Sequence, residues 1–379
     1  MHPPSQEPTA ELLSIGSELL AGTTLDTNAA YLGAALARLG IPLRSTRALP
    51  DERPVIAAAF REARGRVPLV VATGGLGPTH DDLTREGLAD ALGEELRPDP
   101  TLEAALRERF AAFGSMPASN LRQALRVPAA EALPNPIGSA PGWWVDRDGG
   151  VVVLMPGVPS EMRRMWEEQV EPRLGSRFEL QPVHAREVRT FGIGESALAE
   201  LVGDLLEAPG EGVEAGIYAH DDGVHLRFWT RGAASALEAP VARALSIAGD
   251  HAYGTDDEGL ALIALRALAR HGVRTLASLE SGTDGTLLAI LAAADPEPVH
   301  YVGGLLLTEP SDAARPPAAD ATLHVTLMPI DALGRSRVRC TLSGAVNVST
   351  VESRVHGSGP QRQRRAAFAA LDQVRRALR

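Results

Sequence analysis

Hydrophobic and polar positions along residues 9–175 follow a pattern that predicts strands alternating with helices. Short apolar runs at 10–15, 41–49, 68–73 and 151–155 are typical of buried strands. Helical patterns follow at 27–39, 54–64 and 160–170, the first with Asp26 or Thr27 as its cap and Gly40 as its stop signal. The alternation predicts an α/β fold, with a mostly parallel sheet inside a three-layer α/β/α domain.

The remainder of the chain has a different rhythm. Strand-like runs at 213–218 and 224–229, with helices at 195–206 and 233–248, predict a small α+β domain. Beyond it we expect an α/β section with a helix at 260–271, a strand at 273–279, a Pro/Ala-rich loop at 308–319 and a basic helix at 361–378. The predicted domains are therefore 9–178, 179–256 and 257–379.

Composition narrows the possible partners and compartments. A formal net charge of -11 argues against a nucleic-acid binder, and no apolar run reaches the roughly 20 residues of a membrane span. The N-terminus does not resemble a signal peptide and is expected to be a frayed tail. The single cysteine, Cys340, excludes internal disulfides and fits a reducing cytoplasm. The chain contains no lysine, so no lysine amine can act as a base or nucleophile.

The most informative segment runs from Thr73 to Thr84, directly after the third predicted strand. It contains Gly74, Gly75 and Gly77, and glycines allow a ligand to approach the backbone closely. Backbone amides in such a turn suit a phosphate, with Thr79 nearby as a further donor. The alternative is an ordinary tight turn between strand and helix.

Carboxylates close to this turn suggest a cation. Asp81 and Asp82 are adjacent, and Glu18 follows the first strand. They suit a divalent ion such as Mg²⁺, Mn²⁺ or Co²⁺ bound to the phosphate. We expect one aspartate to cap the next helix and the other to serve the ligand or metal. Glu18 taken alone is more typical of a solvated loop than of a ligand site, and His80 ranks below Asp81 as a candidate.

Two further turns should lie at the same edge of the sheet, because ligands in such sheets bind at the carboxyl ends of strands. The segment 135–143 is rich in turn residues and either covers a site or simply connects two strands. The other turn follows the strand at 151–155. The additional candidates for ligand contact are Asn28, which is also a common capping residue, Asn135, Gly138, Ser139, Pro156 and Gly157.

Together these motifs resemble the CinA family (competence/damage-inducible protein A). The resemblance rests on Gly16 to Leu20, Asp26 to Asn28, Thr73 to Thr84, Asn120 with Gln123 and Ala124, Asn135 to Gly142, Pro156 to Met162 and Phe191 to Ser196. It implies a molybdopterin-binding-like first domain that hydrolyses the ADP-ribose pyrophosphate bond with a metal. Asp81, Asp82 and Glu18 would then be the catalytic and metal-binding residues. It also implies a last domain related to nicotinamide mononucleotide deamidases, pyridine nucleotide recycling, and a homodimer.

The C-terminal section departs from the family pattern. The family reads Glu-Ser-Cys-Thr-Gly-Gly where this chain has Glu280 to Gly285, which keeps Ser281 and Thr283 but introduces Asp284. The family's lysine and its Gly-Pro-Gly-Gly loop are missing. Because losing a general base commonly costs about 10²- to 10⁴-fold in rate, we expect this degenerate site to be inactive.

Two other functions remain open at this stage. The first domain could bind a molybdopterin-like ligand or a nucleotide without catalysis, since the same turn would serve both roles. A part in DNA uptake is suggested only by the family's name. The basic residues of the last helix are interpreted as a solvated face.

Overall fold

The protein is described from a computed structural model. It describes residues 8–111, 114–294, 299–309, 314–331, 335–346 and 348–379. The chain divides into two compact units, Met1–Val183 and His184–Arg379. The predicted N-terminal tail lies outside the described residues. So do parts of the loop 308–319 and of the segment 328–334, where the family's Gly-Pro-Gly-Gly loop is missing. The three predicted domains stay a prediction.

The first unit contains one six-stranded sheet, a short two-stranded sheet and seven α-helices in its described residues. The strands are β1 (Ala10–Ile15), β2 (Leu43–Leu49), β3 (Leu69–Thr73), β4 (Arg97–Pro98), β5 (Leu125–Arg126), β6 (Ala130–Leu133), β7 (Gly142–Arg147) and β8 (Gly150–Met155). The helices are α1 (Ser17–Leu20), α2 (Thr27–Arg38), α3 (Arg53–Arg64), α4 (Thr84–Leu92), α5 (Pro100–Ala111), α6 (Pro159–Met165) and α7 (Glu171–Arg177).

The main sheet has the strand order β2-β1-β3-β8-β7-β6. The first four strands are parallel, while β7 and β6 add an antiparallel edge. Successive side chains of β1 alternate between two cores: Leu12 packs with α2 and α6, and Leu13 packs with α3 and α4. Helices therefore cover both faces, and the predicted α/β class with three layers is confirmed.

Local signals explain most element boundaries. The Asp26 side chain accepts a hydrogen bond from the Ala29 amide and caps α2, as expected. The predicted helix at 160–170 differs, because α6 gives way to a π-helical turn over 166–170 before α7 begins. Pro172 lacks the amide hydrogen that would continue a regular helix, which accounts for the interruption.

The second unit contains two sheets. Its first sheet has the order β10-β11-β9-β12 and its second the order β14-β13-β15-β16-β17. The strands are β9 (His184–Thr190), β10 (Val213–His220), β11 (Gly223–Thr230), β12 (Ala252–Thr255), β13 (Thr275–Ser281), β14 (His300–Leu307), β15 (Ala321–Leu327), β16 (Ser336–Gly344) and β17 (Val348–Val355). The helices are α8 (Glu195–Leu201), α9 (Gly203–Glu207), α10 (Glu238–Ala248), α11 (Leu260–Arg270), α12 (Thr286–Ala293) and α13 (Gly359–Ala377).

The helices of both units are also informative about membrane insertion. Among the residues that the structure describes, no helix combines the length and apolar character needed to cross a lipid bilayer.

A partly buried ion pair makes the stability of the first unit depend on pH, since the Glu11 side chain is buried and that of Arg66 is half exposed. Glu11 in β1 accepts two hydrogen bonds of 2.8 Å from Arg66, and these bonds lower the pKa of the Glu11 carboxyl. Because the folded pKa lies below the unfolded value of about 4.3, the stabilisation is present above that pH and is lost as pH falls through the folded pKa.

We therefore expect Glu11→Gln to lower the free energy of unfolding by about 1 kcal/mol at pH 7. The difference from wild type should shrink below about pH 4. Urea unfolding at several pH values measures both, with Glu168→Gln as a control, because Glu168 forms an exposed ion pair with Arg164. A difference that does not depend on pH would contradict this assignment.

Candidate functional site

The carboxyl ends of β1, β3 and β8 form one edge of a cleft of about 410 Å³. Nine of the predicted site residues line it: Glu18, Gly74, Gly75, Gly77, Asp81, Asp82, Ser139, Pro156 and Gly157. Five others are not among its lining residues: Thr73, Thr79, Asn28, Asn135 and Gly138. The structure therefore brings the glycine-rich turn, the segment 135–143 and the carboxylates together around one cleft. The other five residues lie next to residues that line the cleft.

The glycine-rich turn is pressed against the neighbouring strand. Gly74 has a φ of 95°, and a Cβ there would lie 2.0 Å from the Ile15 carbonyl oxygen. Its amide donates to the Met155 carbonyl at 3.1 Å, and its own carbonyl accepts from the Thr84 hydroxyl at 2.8 Å. Only glycine fits this close approach of three strand ends.

Asp82 stabilises the turn instead of capping a helix. Its carboxylate accepts from the Gly77 amide at 2.8 Å, the Thr79 amide at 2.7 Å and the Thr79 hydroxyl. Helix α4 has Leu83 at its N-cap and no side-chain cap there. The prediction that one aspartate caps this helix was wrong, because the local amides of the turn compete for the same carboxylate.

This arrangement determines which amides remain open. The Gly77 and Thr79 amides are bound to Asp82, and the Gly74 amide is bound to Met155. The amides of Gly75 and Leu76 have no acceptor among the described residues. A ligand anion in the cleft would therefore meet two donors of the turn and not the whole set.

Asp81 points to solvent at the mouth of the cleft. Its side chain is 59% exposed, and the nearby Thr79 hydroxyl and its own amide lower the pKa of the Asp81 carboxyl. It is therefore ionised at neutral pH. His80 is 98% exposed and lies 4.0 Å from Asp81, so it adds little to the site.

Two arginines support the turn from behind. Arg85 is buried and donates to the Leu76 carbonyl at 2.7 Å, and burial lowers its pKa to about 10. Arg122 donates to the Thr79 carbonyl and pairs with Glu86 at 2.8 Å. Both guanidinium groups bind carbonyl oxygens of the turn and so help to fix its backbone.

Asp51 and Glu161 also line the cleft, and sequence reasoning missed both as site residues. Asp51 follows β2 and accepts from the Ser17 amide and hydroxyl, each at 2.8 Å. Glu161 is in α6 and accepts from the Asn135 side chain at 2.7 Å. The signal for Asp51 was its position just beyond a parallel strand.

Asn28 and Asn135 act on neighbouring loops. The Asn28 amide group donates to the Gly157 carbonyl at 2.8 Å, which fixes the turn after β8. Asn135 accepts from the Gly138 amide at 2.7 Å and donates to the Ala140 carbonyl at 3.0 Å. These bonds position Ser139 and Gly157, which do line the cleft.

The charge of the cleft is one-sided. Five carboxylate side chains line it, from Glu18, Asp51, Asp81, Asp82 and Glu161. No arginine or histidine is among the described lining residues, and the chain has no lysine. An anionic ligand would meet repulsion here unless a cation came with it.

Comparisons with known proteins show which family this chain belongs to. A family described as "Probable molybdopterin binding domain" matches residues 11–176, and "Damage-inducible protein CinA KH domain" matches residues 185–254. A "CinA-like protein" of Thermomicrobium roseum is 46% identical over 289 residues, covering 75% of this chain and 70% of that protein. The chain belongs to the CinA family.

A further relative and two solved structures are also similar to parts of this chain. A CinA-like protein of Deinococcus deserti is 42% identical over 290 residues, which is 75% of this chain and 70% of the relative. The crystal structure of a CinA "with unknown function" from Thermoplasma acidophilum is 35% identical; it covers 43% of this chain and 96% of its own, with a TM-score of 0.42. The molybdopterin biosynthesis enzyme MoaB from Thermus thermophilus is 19% identical, covering 45% and 93%, with a TM-score of 0.31.

The prediction of an ADP-ribose pyrophosphatase was wrong. The relatives are described only as CinA-like proteins, and the family that matches residues 11–176 is described as a probable molybdopterin binding domain, so nothing in the comparisons indicates hydrolysis of ADP-ribose. The catalytic roles given to Asp81, Asp82 and Glu18 rested on that activity alone. In the structure, Asp82 is already occupied with the amides of its own turn.

The predicted degenerate site in the C-terminal section, Glu280 to Gly285, forms hydrogen bonds with its own neighbouring residues. Glu280 is buried and accepts from the Thr283 hydroxyl at 2.6 Å and from the Leu287 and Leu288 amides at 3.1 Å. Ser281 and Thr283 are also buried. Thr283 and Glu280 therefore hold the start of α12, and the inactivity of this site as a deamidase stays a prediction.

Proposed function

We propose that the first unit binds a small phosphate-bearing molecule of the molybdopterin or nucleotide class without converting it. One observation carries the proposal: Gly75 and Leu76, whose amides have no acceptor among the described residues, line the same cleft as five carboxylate side chains. The family description for residues 11–176 names molybdopterin binding, which agrees with this ligand class.

The carboxylates support a divalent cation as part of the ligand complex. Glu18, Asp51, Asp81 and Glu161 offer only oxygen donors, which Mg²⁺ and Mn²⁺ prefer, and Co²⁺ is a useful substitute. Such an ion would supply positive charge between carboxylates and phosphate. Asp82 would contribute mainly by holding the turn, since its oxygens already accept hydrogen bonds.

The rest of the cleft suits the uncharged part of the ligand. Ser139 and Gln123 are polar without charge, and Val158 and Pro156 add apolar surface. The Gln123 side chain also donates to the Leu76 carbonyl at 3.5 Å, which fixes the orientation of the Leu76 peptide. We keep the homodimer as part of the proposal, by analogy only.

The proposal is tested by calorimetric titration of the full chain with ADP and with a phosphorylated pterin, with and without Mg²⁺. We expect saturable binding that requires Mg²⁺, and chromatography should recover the ligand intact. Asp81→Asn should weaken Mg²⁺-dependent binding about tenfold or more, because it removes one charge from the ion's surroundings. His80→Ala, at the exposed neighbouring position, should leave binding unchanged.

Three results would contradict the proposal. One is the absence of binding with both probes in the presence of Mg²⁺. Another is equal affinity of the Asp81→Asn and wild-type proteins. The third is steady consumption of either probe, which would show turnover.

A further inference from the structure

A cluster of metal-ligating side chains lies in the second unit, apart from the carboxylate cleft. Within the described residues, Glu187, His220 and His225 each offer a ligand atom, and these atoms lie within 4.8 Å of one another. The residues belong to three adjacent strands, β9, β10 and β11. We propose that this cluster is a binding site for a divalent transition-metal ion such as Zn²⁺.

Strand alternation places the three side chains on one face of the sheet. Val188 and Leu226 point into the core of the first sheet of this unit. Glu187 and His225 occupy the adjacent positions of their strands and therefore face the opposite side. His220 ends β10, and its ring stacks on that of His225 with centroids 4.4 Å apart.

His225 carries the argument. Its side chain is 2% exposed, and its Nδ1 has no hydrogen-bond partner in the described structure, although Glu187 Oε1 lies only 2.9 Å away. On the other side of the ring, Nε2 lies 3.4 Å from Asp222 and 3.4 Å from the Tyr253 hydroxyl. A buried ring nitrogen without a bond is costly, which calls for a partner at Nδ1.

The surroundings of the two ring nitrogens of His225 are those of a typical metal-bound histidine. Such histidines commonly donate their second ring N–H to a carboxylate, which fixes the tautomer and orientation. With the hydrogen on Nε2 directed to Asp222, the Nδ1 lone pair faces the Glu187 carboxylate. Two acceptors at 2.9 Å repel each other unless a positive ion or proton lies between them.

An ion between His225 and Glu187 requires a small shift, because His225 Nδ1 and Glu187 Oε1 lie 2.9 Å apart and the partly exposed Glu187 side chain must move back by about 0.5 Å. Zn²⁺ binds nitrogen and carboxylate oxygen at about 2.0–2.2 Å, so tetrahedral ligand atoms are about 3.4 Å apart. His220 is exposed and can close the remaining distance by rotating its side chain. Two histidines and one carboxylate favour Zn²⁺ or a related ion over Mg²⁺.

The local charge is compatible with a cation. Arg189 approaches Glu187 at 3.3 Å and Asp222 at 3.4 Å, so one positive group faces two carboxylates. The surroundings keep a net negative charge before the ion binds. His220 also lines a cleft of about 750 Å³ that contains Gly192 and Glu195, which gives the ion a path from solvent.

The test uses tag-free, full-length protein with excess Mg²⁺ to saturate the oxygen-only cleft. Calorimetry with Zn²⁺ should give one tight site per chain, and Co²⁺ should give the visible absorption of a site with nitrogen ligands. His220→Ala and Glu187→Gln should each weaken Zn²⁺ binding by at least about 100-fold. Asp222→Asn should weaken it about 10- to 100-fold, as expected for a group that orients a ligand.

The control is His184→Ala, an exposed histidine on the same strand as Glu187, which should bind Zn²⁺ like wild type. Near-ultraviolet circular dichroism of each variant checks its fold, and the exposed His220 is the variant least prone to structural damage. The proposal is overturned if wild type binds no Zn²⁺ under these conditions. It is equally overturned if a folded His220→Ala protein binds Zn²⁺ as tightly as wild type.

Discussion

Replacing Gly74 with alanine is expected to destabilise the first unit by about 3–5 kcal/mol and to abolish ligand binding in the cleft. The new Cβ would lie 2.0 Å from the Ile15 carbonyl oxygen, on backbone that is itself fixed by the sheet. The φ of 95° adds strain for any residue with a side chain. Relief requires the ends of β1 and β3 to separate, and these are the strand ends that form the cleft.

Gly93→Ala is the matched control for this change. Gly93 also has a positive φ, of 68°, but a Cβ there would meet nothing within 4 Å. Its cost should be about 1 kcal/mol, from backbone conformation alone. Urea unfolding followed by tryptophan fluorescence measures both variants, since Trp143, Trp144 and Trp166 all lie in the first unit. Equal costs for the two variants would show that the close approach to Ile15 is not the cause.

The parallel core could be predicted because its strands carry their own signal. Segments such as Leu69–Thr73 are buried on both faces and therefore read as continuous apolar runs. Caps and stops such as Asp26 and Gly40 are also local. Apolar runs, helix caps and helix stop signals depend on a few neighbouring residues, so they can be recognised without knowledge of the rest of the fold.

The second unit was harder to predict because its strands are half polar. Strand β9 reads His-Ala-Arg-Glu-Val-Arg-Thr, with only Val188 and Thr190 buried, and it was missed. Strand β16 alternates buried and more exposed positions from Ser336 to Leu342 and was missed too. Its arginines at alternate positions, Arg337 and Arg339, produce the period of two that is typical of a half-buried strand, so this local signal was present in the sequence and was overlooked.

The candidate site shows where local reasoning ends. The turn and its three glycines follow from sequence, whereas the direction of the Asp82 side chain depends on which donors the folded loop presents. Asp51 and Glu161 reach the cleft only through the order of strands and helices. The histidine cluster depends on register, because His225 lies beside Glu187 only through the pairing of β11 with β9. None of these relations is visible in residue spacing alone.

The last helix corrects one expectation and supplies a second large prediction. Its arginines were interpreted as a solvated face, yet Arg375 is 3% exposed. Arg375 donates to Asp372 at 2.5 and 2.9 Å, to the Ala252 carbonyl at 2.9 Å and to the Asp250 carbonyl at 2.7 Å. The contact joins α13 to β12, within the second unit.

Asp372→Ala should therefore destabilise the second unit by about 3–5 kcal/mol, because it leaves the Arg375 charge buried without its counter-ion. Hydrogen exchange of peptides covering β12 and α13 measures the loss as faster opening of this unit. The double variant Asp372→Leu/Arg375→Met should be less destabilised than the single one, since it removes the buried unpaired charge. The Asp250 carbonyl then loses its Arg375 donor, while Arg379 still donates to the Ala252 carbonyl at 3.3 Å. Arg376 loses its partner Asp372 in both variants.

Asp250→Ala provides the exposed comparison, because the Asp250 side chain pairs with Arg379 at the surface and should contribute at most about 0.5 kcal/mol. Its backbone carbonyl, which Arg375 uses, is unchanged by the substitution. Similar exchange rates for Asp372→Ala and Asp250→Ala would contradict this prediction, because they would show that the buried Arg375–Asp372 pair does not stabilise the packing of α13. A large effect confined to Asp372→Ala would mean that the buried Arg375–Asp372 pair stabilises the second unit. The net charge of the last helix and its helical period do not indicate such a role.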